Sequence, residues 1–373
     1  MLVGLYIFFL FFCMLSYRKS LILFIVALSI LWIFLAGTYG NADEPVYLSR
    51  YTSPELWQGQ TEVLYGFFMS ACRKLGLDFN GFKMVNAFLQ LGILSIPIWK
   101  RAKHPNIVLL CYSVFPFAMD VTQLRNGLAT SVMLFSLDYL FPDEHSSSNN
   151  LLDKNDIKFL IGIFVATMIH TASAFWIIFL MGKKLQDRGV VFFTISFSIL
   201  FSILIGPRLI SWLTSFFGAS ARIDAYLSAQ YDSTRASMMI NSLTRIAIFA
   251  ILTFAILILL RHFRVEKSSD LDFALKINVL ALNTIPFVIN YTPEMYRMQI
   301  GIAVLNYIVI TNNWSPSVVK RYTSRLQMPI NNFVISVGLI LLTLTSIYLI
   351  GIRAGNFSTV VVPLFTKNIF FGI

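Results

Sequence analysis

Long runs of apolar residues separated by short polar stretches dominate the pattern of this chain. Each run is roughly 14–25 residues long, and helices of about this length can cross the roughly 30 Å hydrocarbon core of a bilayer. The runs lie near residues 2–16, 21–39, 82–99, 106–118, 124–141, 157–181, 190–206, 240–260, 277–290, 298–311 and 332–350. The pattern therefore predicts one all-α, polytopic transmembrane domain over residues 1–373, with about 10–12 membrane spans.

The composition excludes an ordinary soluble enzyme. Hydrophobic residues make up 57% of the chain and charged residues only 13%, whereas soluble domains are typically about 45–50% apolar and about 25% charged. Three cysteines are too few for a disulfide framework. The short motifs typical of zinc sites, P-loops and dinucleotide-binding sites do not occur in the sequence. The N-terminus has no basic segment or cleavage site typical of a removable signal peptide.

The net charge of +11 bears on orientation rather than on nucleic acid, because basic residues mark the cytoplasmic loops of membrane proteins. Just over half of the 29 lysines and arginines lie in five short loops. Their members are Arg18 and Lys19; Lys100, Arg101 and Lys103; Lys183, Lys184 and Arg188; Arg261, Arg264, Lys267 and Lys276; and Lys320, Arg321 and Arg325. We therefore expect outer loops at 40–81, which includes an amphipathic stretch, and at 207–239, and an outer C-terminal tail at 351–373.

The number of crossings around residues 106–181 leaves two alternatives. If 106–118 and 124–141 form a hairpin, then 157–181 must enter and leave the membrane on the same side, as a re-entrant or broken segment. Alternatively, 106–141 crosses once and the polar loop near Ser146 is outside. The irregularity falls on the segment that contains His170.

Ionisable residues near membrane depth are costly and mark functional sites. Three clusters stand out: 119–127 with Asp120 and Arg125, 169–173 with His170, and 291–297 with Glu294, Tyr296 and Arg297. The outer loops add Arg50, Glu62, Arg222, Asp224, Tyr226, Arg235 and Arg245. Guanidinium groups suit diphosphates, histidine serves as acid or base, and a carboxylate can take a proton from a sugar hydroxyl. These types suit glycosyl transfer from a lipid diphosphate, without being specific to it.

On this chemistry we predict a catalytic set and a substrate-binding set. The catalytic set is His170, Arg125 and Glu62, with His170 as base or as donor to the leaving diphosphate. The donor role is preferred because several neighbouring groups are positive. The substrate-binding set is Arg297, Tyr296, Glu294, Asp120, Arg222, Tyr226, Arg245 and Arg50. Outer aromatic residues are expected to contact sugars, including Tyr47, Tyr51, Trp57, Trp212 and Tyr226.

Structural explanations of the same residues stay open. Arg125 could anchor the helix at the interface or pair with Asp120. His170 could be a core histidine bonded to a backbone carbonyl. Glu294 and Arg297 have the spacing of a helical ion pair, and Glu62 could face solvent on its amphipathic stretch.

Four short elements resemble those of the EpsG-like family of Wzy-type polysaccharide polymerases. Residues 124–129, Leu-Arg-Asn-Gly-Leu-Ala, are similar to the family's Arg-Gln-x-x-Ala element, with Asn126 in place of glutamine. Residues 169–174, Ile-His-Thr-Ala-Ser-Ala, are similar to its His-x-Ser-Ala element. Residues 61–68 around Glu62 resemble its Glu-Pro-Gly-Phe element without the proline, and Tyr296-Arg297 followed by Tyr307 resembles its late arginine–tyrosine element. The resemblance covers most of the chain and is sharpest over residues 120–180.

The resemblance implies a GT-C-like membrane fold and a glycosyltransferase-type polymerase in the bacterial inner membrane, with its active site on the outer face. Such enzymes join undecaprenyl diphosphate-linked oligosaccharides into O-antigen, capsule or exopolysaccharide, without a nucleotide sugar, a metal or another cofactor. Its partners would be lipid-linked oligosaccharides, membrane lipid, a chain-length regulator and a flippase, but no nucleic acid. A transporter or flippase of lipid-linked glycans and another lipid-diphosphate transferase, such as a ligase, are the alternatives.

Overall fold

A computed structural model describes residues 1–16, 18–53, 62–141, 152–204, 233–263, 268–313, 336–341, 344–345, 348 and 357–372. Within these ranges the regular secondary structure is helical, apart from an isolated bridge between Thr38 and Asn368. The helices of the first half are α1 (Leu2–Leu15), α2 (Leu21–Gly37), α3 (Glu44–Thr52), α4 (Val63–Lys74), α5 (Phe79–Arg101), α6 (Pro105–Val114), α7 (Phe117–Thr122), α8 (Leu124–Leu137) and α9 (Lys154–Ile169). Those that follow are α10 (Leu180–Lys184), α11 (Asp187–Leu204), α12 (Ser233–Phe263), α13 (Ser269–Ala281), α14 (Thr284–Asn290), α15 (Tyr296–Ile300), α16 (Ala303–Asn312) and α17 (Val362–Thr366).

Some of the helices have the length and composition of membrane spans. Three segments among the described residues are long and apolar enough to cross a membrane: Phe79–Arg101, Ala236–His262 and Ser269–Asn290. Shorter apolar helices occur at Leu2–Leu15, Leu21–Gly37, Pro105–Val114 and Phe357–Thr366. These features agree with the predicted class, an α-helical membrane protein. The total of about 10–12 spans stays a prediction.

Ion pairs define one end of the bundle formed by α5, α8 and α9. Lys100 and Arg101, at the end of α5, both contact Asp138, directly after α8. At the start of α9, Asp153 accepts a hydrogen bond from Lys183 at 2.7 Å. The other ends of α8 and α9 carry Arg125 and His170. The basic loops of this part of the chain therefore share the end opposite to Arg125 and His170.

The segment predicted as a single span at 157–181 is a hairpin. Helix α9 ends at Ile169, and His170 has an extended backbone with φ −146° and ψ 112°. The chain then returns as a 3-10 helix at Thr171–Phe179, followed by α10. Lys183, at the end of the second limb, contacts Asp153 and Asp156, at the start of the first limb. The hairpin therefore begins and ends at the same side of the bundle. These contacts favour the first of the two alternatives, a broken segment, with His170 at its tip.

The first limb of this hairpin packs closely on α8. A Cβ atom at Gly162 would lie 1.8 Å from Ser136 Oγ. The two helices can approach this closely because residue 162 has no side chain.

The expected outer segments contain more helix than the sequence suggested. Residues 40–81 hold both α3 and α4, and α12 begins at Ser233, inside the predicted loop 207–239. The tail is anchored, because Asn368 Nδ2 donates to the carbonyl of Ile33 at 3.1 Å. Several predicted segments lie outside the described residues: the loops around Arg264 and Lys320, most of 332–350, and most of 207–239.

The base of the hairpin gives a first prediction, on stability. Asp153 accepts hydrogen bonds at 2.9 Å from the backbone N–H groups of Asn155 and Asp156, and the backbone N–H of Asp153 donates to the Asp156 carboxylate. The hydrogen bond from Lys183 lowers the pKa of Asp153 to about 2. Asp153→Asn keeps a capping group but loses the charge, whereas Asp153→Ala loses both. We expect Ala to cost about 1 kcal/mol more than Asn, because the cap is lost as well.

The sign of the pH dependence follows from the lowered pKa. The charge of Asp153 stabilises the fold fully above its unfolded pKa of about 3.9, and this contribution is lost as the pH falls toward 2. Thermal unfolding of the purified protein should separate wild type from Asp153→Asn at pH 7 and bring them closer at pH 3. An equal separation at both pH values would contradict a stabilising role of the charge.

Candidate functional site

Three helix ends meet at the carboxylate of Glu62. Nη1 of Arg125 donates to Oε2 of Glu62, and Nδ1 of His170 lies 2.9 Å from Oε1. Glu62 is only 4% exposed, so the expectation of a solvent-facing glutamate on an amphipathic stretch is wrong. We call Glu62, Arg125 and His170 the Glu62 cluster. These are the three residues that the sequence predicts as catalytic. The structure brings them together although Glu62 and His170 are 108 residues apart in the sequence.

Local sequence explains how each side chain is presented. Glu62 directly precedes α4, where the positive end of the helix dipole favours a carboxylate. Arg125 is the second residue of α8, and His170 follows the last residue of α9. Because all three lie at helix termini, their side chains extend from the ends of the helices rather than from lipid-facing sides. The cluster thus occupies one end of the bundle.

The contacts define the hydrogen-bonding roles of the imidazole. Glu62 is ion-paired with Arg125, and an ionised carboxylate only accepts hydrogen bonds. Nδ1 of His170 therefore carries the proton that it shares with Glu62. In the neutral ring, Nε2 then carries no proton, and its lone pair can accept one. The contact differs from the bond to a backbone carbonyl that a structural core histidine would make.

Tyr47 of α3 supports the arginine. The carbon of the Arg125 guanidinium lies 5.7 Å from the centre of the Tyr47 ring, and the backbone N–H of Arg125 points to the Tyr47 hydroxyl at 3.4 Å. Tyr47 is buried. A residue that the sequence predicts to contact sugars therefore contacts Arg125.

A second group of polar residues surrounds Arg297. With its carboxamide oxygen turned toward the guanidinium, Gln123 accepts from Nε at 3.1 Å and from Nη2 at 3.3 Å. Glu294 completes the i, i+3 ion pair at 3.3 Å. Burial raises the pKa of the Asp43 carboxyl, and the positive charge of Arg297 opposes that rise. We call Arg297, Gln123, Glu294 and Asp43 the Arg297 cluster.

Gln123 and Asp43 are not among the predicted site residues. Gln123 adjoins the Leu124-Arg125 element, and Asp43 precedes Glu44-Pro45, a pattern typical of a helix start. These local signals could have placed both residues at helix ends. They carry no information about their proximity to Arg297.

The remaining predicted site residues do not all lie in these two clusters. Arg245 of α12 lies over the ring of Tyr296, 4.7 Å from its centre. Asp120 is buried and accepts a hydrogen bond from Tyr112 at 2.7 Å, so its carboxylate is engaged by a tyrosine rather than by Arg125. Arg50 is in the last turn of α3 and half-buried. Arg222, Tyr226, Trp57 and Trp212 lie outside the described residues.

An apolar cavity begins beside the Glu62 cluster. Its volume is about 370 Å³, and its wall starts at Thr171, the residue after His170. The 3-10 limb contributes Phe175 and Ile177, and the facing helices contribute Phe197 and Phe287. Ile177 is half exposed on the outer surface of the bundle. A hydrocarbon chain could therefore lie in this cavity while its polar head faces His170.

The described part of the chain holds no group of three or more His, Cys, Asp or Glu side chains arranged to bind a metal ion. The chemistry available at the site is that of a carboxylate, guanidinium groups and one imidazole. Such groups can bind an anion and move a proton.

The fold and the site together define a helical membrane protein with a buried carboxylate, guanidinium and imidazole at one end of its bundle. The EpsG family matches residues 21–363 of the chain. This protein therefore belongs to the EpsG family and is a polysaccharide polymerase-type membrane protein. The match confirms the resemblance seen around Arg125 and His170. No curated protein and no solved structure matches the chain.

Proposed function

We propose that this protein joins undecaprenyl diphosphate-linked oligosaccharide repeat units into O-antigen, capsule or exopolysaccharide. The reaction takes place on the outer face of the bacterial inner membrane, within a GT-C-like fold, and uses no nucleotide sugar. The observation that carries the proposal is the bridging of Arg125 and His170 by buried Glu62, next to an apolar cavity. This arrangement offers a proton-transfer group, a cationic group and a place for a lipid chain.

His170 is proposed as the general base. The hydroxyl of the acceptor sugar attacks the anomeric carbon of the donor glycan, and its proton passes to Nε2. The bond between that carbon and the diphosphate oxygen breaks, and the electron pair leaves with the diphosphate. Glu62 fixes the ring through Nδ1 and offsets the positive charge that forms, as a carboxylate does for a catalytic histidine. The contact with a carboxylate favours this role over the donor role that the sequence suggests.

The arginines are proposed to bind the diphosphate. A guanidinium offers five N–H donors in a planar fork, so Arg125 can contact Glu62 and a phosphate oxygen together. Arg297 lies in a cluster that also holds the carboxyl groups of Glu294 and Asp43. Arg245, over the ring of the adjacent Tyr296, adds a second positive charge beside this cluster. Arg222, Tyr226 and Arg50 remain proposals for substrate contacts.

Purified protein in liposomes, supplied with a synthetic lipid-linked repeat unit, tests the function. We expect a ladder of lipid-linked polymers without any nucleotide sugar. Movement of unpolymerised substrate across the liposome membrane would instead support a flippase. Transfer of the glycan to a different lipid or to a protein-bound acceptor would support a ligase.

Arg125→Lys tests the phosphate contact. Lysine keeps the positive charge beside Glu62 but loses the planar fork. Loss of one charge-assisted hydrogen bond costs roughly 1.5–3 kcal/mol, so we expect polymerisation to fall about ten- to a hundredfold. The matched control is Arg261→Lys, which changes an ion pair at the opposite end of the bundle. Normal polymerisation by Arg125→Lys at equal expression would remove the assignment.

A further inference from the structure

A second cavity lies at the same end of the bundle and shares no lining residue with the apolar cavity. Its volume is about 620 Å³, within the range of roughly 300–1,000 Å³ typical of ligand sites. Its lining combines three aromatic rings with carboxylate and amide side chains: Tyr39, Tyr51, Phe79, Glu44, Asp78 and Asn80. We call it the aromatic cleft.

The walls of the aromatic cleft are fixed by contacts with the bundle. The hydroxyl of Tyr51 donates to the carbonyl of Leu77 at 2.7 Å, and its ring packs on Phe79 with centres 5.8 Å apart. Glu44 accepts from buried Lys83 at 2.9 Å, and Asp78 caps α5 by accepting from the Gly81 backbone at 2.7 Å. The cleft is therefore pre-formed, which lowers the entropic cost of binding.

The chemistry of the lining selects the class of ligand. Both charged residues that line the cleft are acidic. Glu44 is neutralised by its ion pair with Lys83, and the remaining negative charge of Asp78 disfavours a phosphate or another anion. Carboxylate and amide oxygens accept hydrogen bonds from hydroxyl groups, and aromatic faces pack against the C–H faces of sugar rings. Tyr39, with 36% of its surface exposed, presents such a face. The cleft thus suits a neutral, hydroxyl-rich ligand.

Helix α3 contributes a residue to each of the two sites. Tyr47 contacts Arg125, and Tyr51, one helical turn further along, lines the cleft. Four residues of helix correspond to about 6 Å. The aromatic cleft and the Glu62 cluster therefore lie at neighbouring positions along one helix.

We propose that the aromatic cleft binds saccharide units of the growing glycan and holds the chain between successive transfers. The proposal rests on the proposed function, because it presumes a polysaccharide product. It assigns a site distinct from the diphosphate and lipid contacts and names its ligand as an oligosaccharide without its lipid carrier.

Tyr39→Ala and Asn80→Ala test the proposal through two measurements. The first is the length of polymer made in liposomes from the synthetic lipid-linked repeat. We expect the mean length to fall at least threefold, because the product dissociates sooner. The second is the binding of the same repeat unit without its lipid to the full chain, measured by saturation-transfer NMR. We expect binding to wild type and at least tenfold weaker binding to each variant.

The controls change exposed residues of the same kind at the same end. Phe67→Ala removes an exposed aromatic ring on α4, and Ser49→Ala removes an exposed polar group on α3. Both should preserve polymer length and saccharide binding. Unchanged binding and length in Tyr39→Ala and Asn80→Ala would overturn the cleft assignment, even if polymerisation itself is confirmed. Saccharide binding that depends on the cleft, in a protein that makes no polymer, would keep the site and reject the polymerase.

Discussion

Glu62→Gln is expected to lower polymerisation by roughly 10²- to 10⁴-fold, the range typical of proton-transfer catalysis, in a protein that still folds. Glutamine is nearly the same size as glutamate, but it is neutral. It can no longer offset the charge that forms on His170 when the ring takes a proton, and it no longer neutralises Arg125. The loss should appear mainly in kcat rather than in KM, because the missing interaction is strongest in the transition state.

Glu62→Ala separates the chemical role of Glu62 from its structural role. Alanine leaves the partly buried Arg125 without its carboxylate, a change that typically costs about 3–5 kcal/mol of stability. We therefore expect Glu62→Ala to be both inactive and less stable, whereas Glu62→Gln keeps more of the stability. Polymerisation kinetics and thermal unfolding of the same preparations measure both effects.

Asp187→Asn is the matched control for Glu62→Gln. It makes the same acid-to-amide change in an ion pair with Arg261, at the end opposite to the Glu62 cluster. This variant should polymerise normally. A Glu62→Gln protein with wild-type kcat would show that the carboxylate only holds the fold.

His170→Ala is expected to leave single repeat units unpolymerised while the protein remains folded and inserted in the membrane. The imidazole is 21% exposed at its side chain, so its removal leaves only a small, partly open gap. The loss of a general base should lower the rate by roughly 10²- to 10⁴-fold. Gel analysis of polymer made by the purified variant from the synthetic lipid-linked repeat is the measurement.

His170→Gln distinguishes the two roles of the ring. Glutamine can donate a hydrogen bond to a leaving diphosphate, but it cannot accept a proton as a base. If His170 is the base, the Gln variant should be as inactive as the Ala variant. Substantial polymer from Gln, with none from Ala, would restore the donor role. Long polymer from the Ala variant would make His170 a structural residue.

The sequence predicted the helical membrane class because apolar runs are visible without any tertiary information. It also singled out Arg125 and His170, since charged groups within apolar surroundings are rare. The pairing of both with Glu62 could not be predicted in the same way. Glu62 lies in a mixed stretch, where a buried glutamate and an exposed one look alike, and its burial depends on contacts more than 60 residues away.

The hairpin at His170 shows a further limit of prediction from the sequence. Both limbs are apolar, so a hydropathy pattern over residues 157–181 cannot distinguish one crossing from a crossing and a return. The sequence Asp153-Lys154-Asn155-Asp156 does mark a helix start. The return limb at Thr171–Phe179 has no side-chain cap hydrogen bond at its start. A capping signal in the sequence therefore could not have located it.

The geometry of the two limbs also restricts how the length of this region can change in evolution or engineering. The 16 residues of α9 rise about 24 Å. The 3-10 limb of nine residues rises about 18 Å, and the five residues of α10 add about 7.5 Å. The limbs therefore match in height although they differ in residue number. An insertion of one residue in either limb would move the imidazole by about 1.5–2 Å and rotate it away from Glu62. Length variation between Asp153 and Lys183 is therefore incompatible with function.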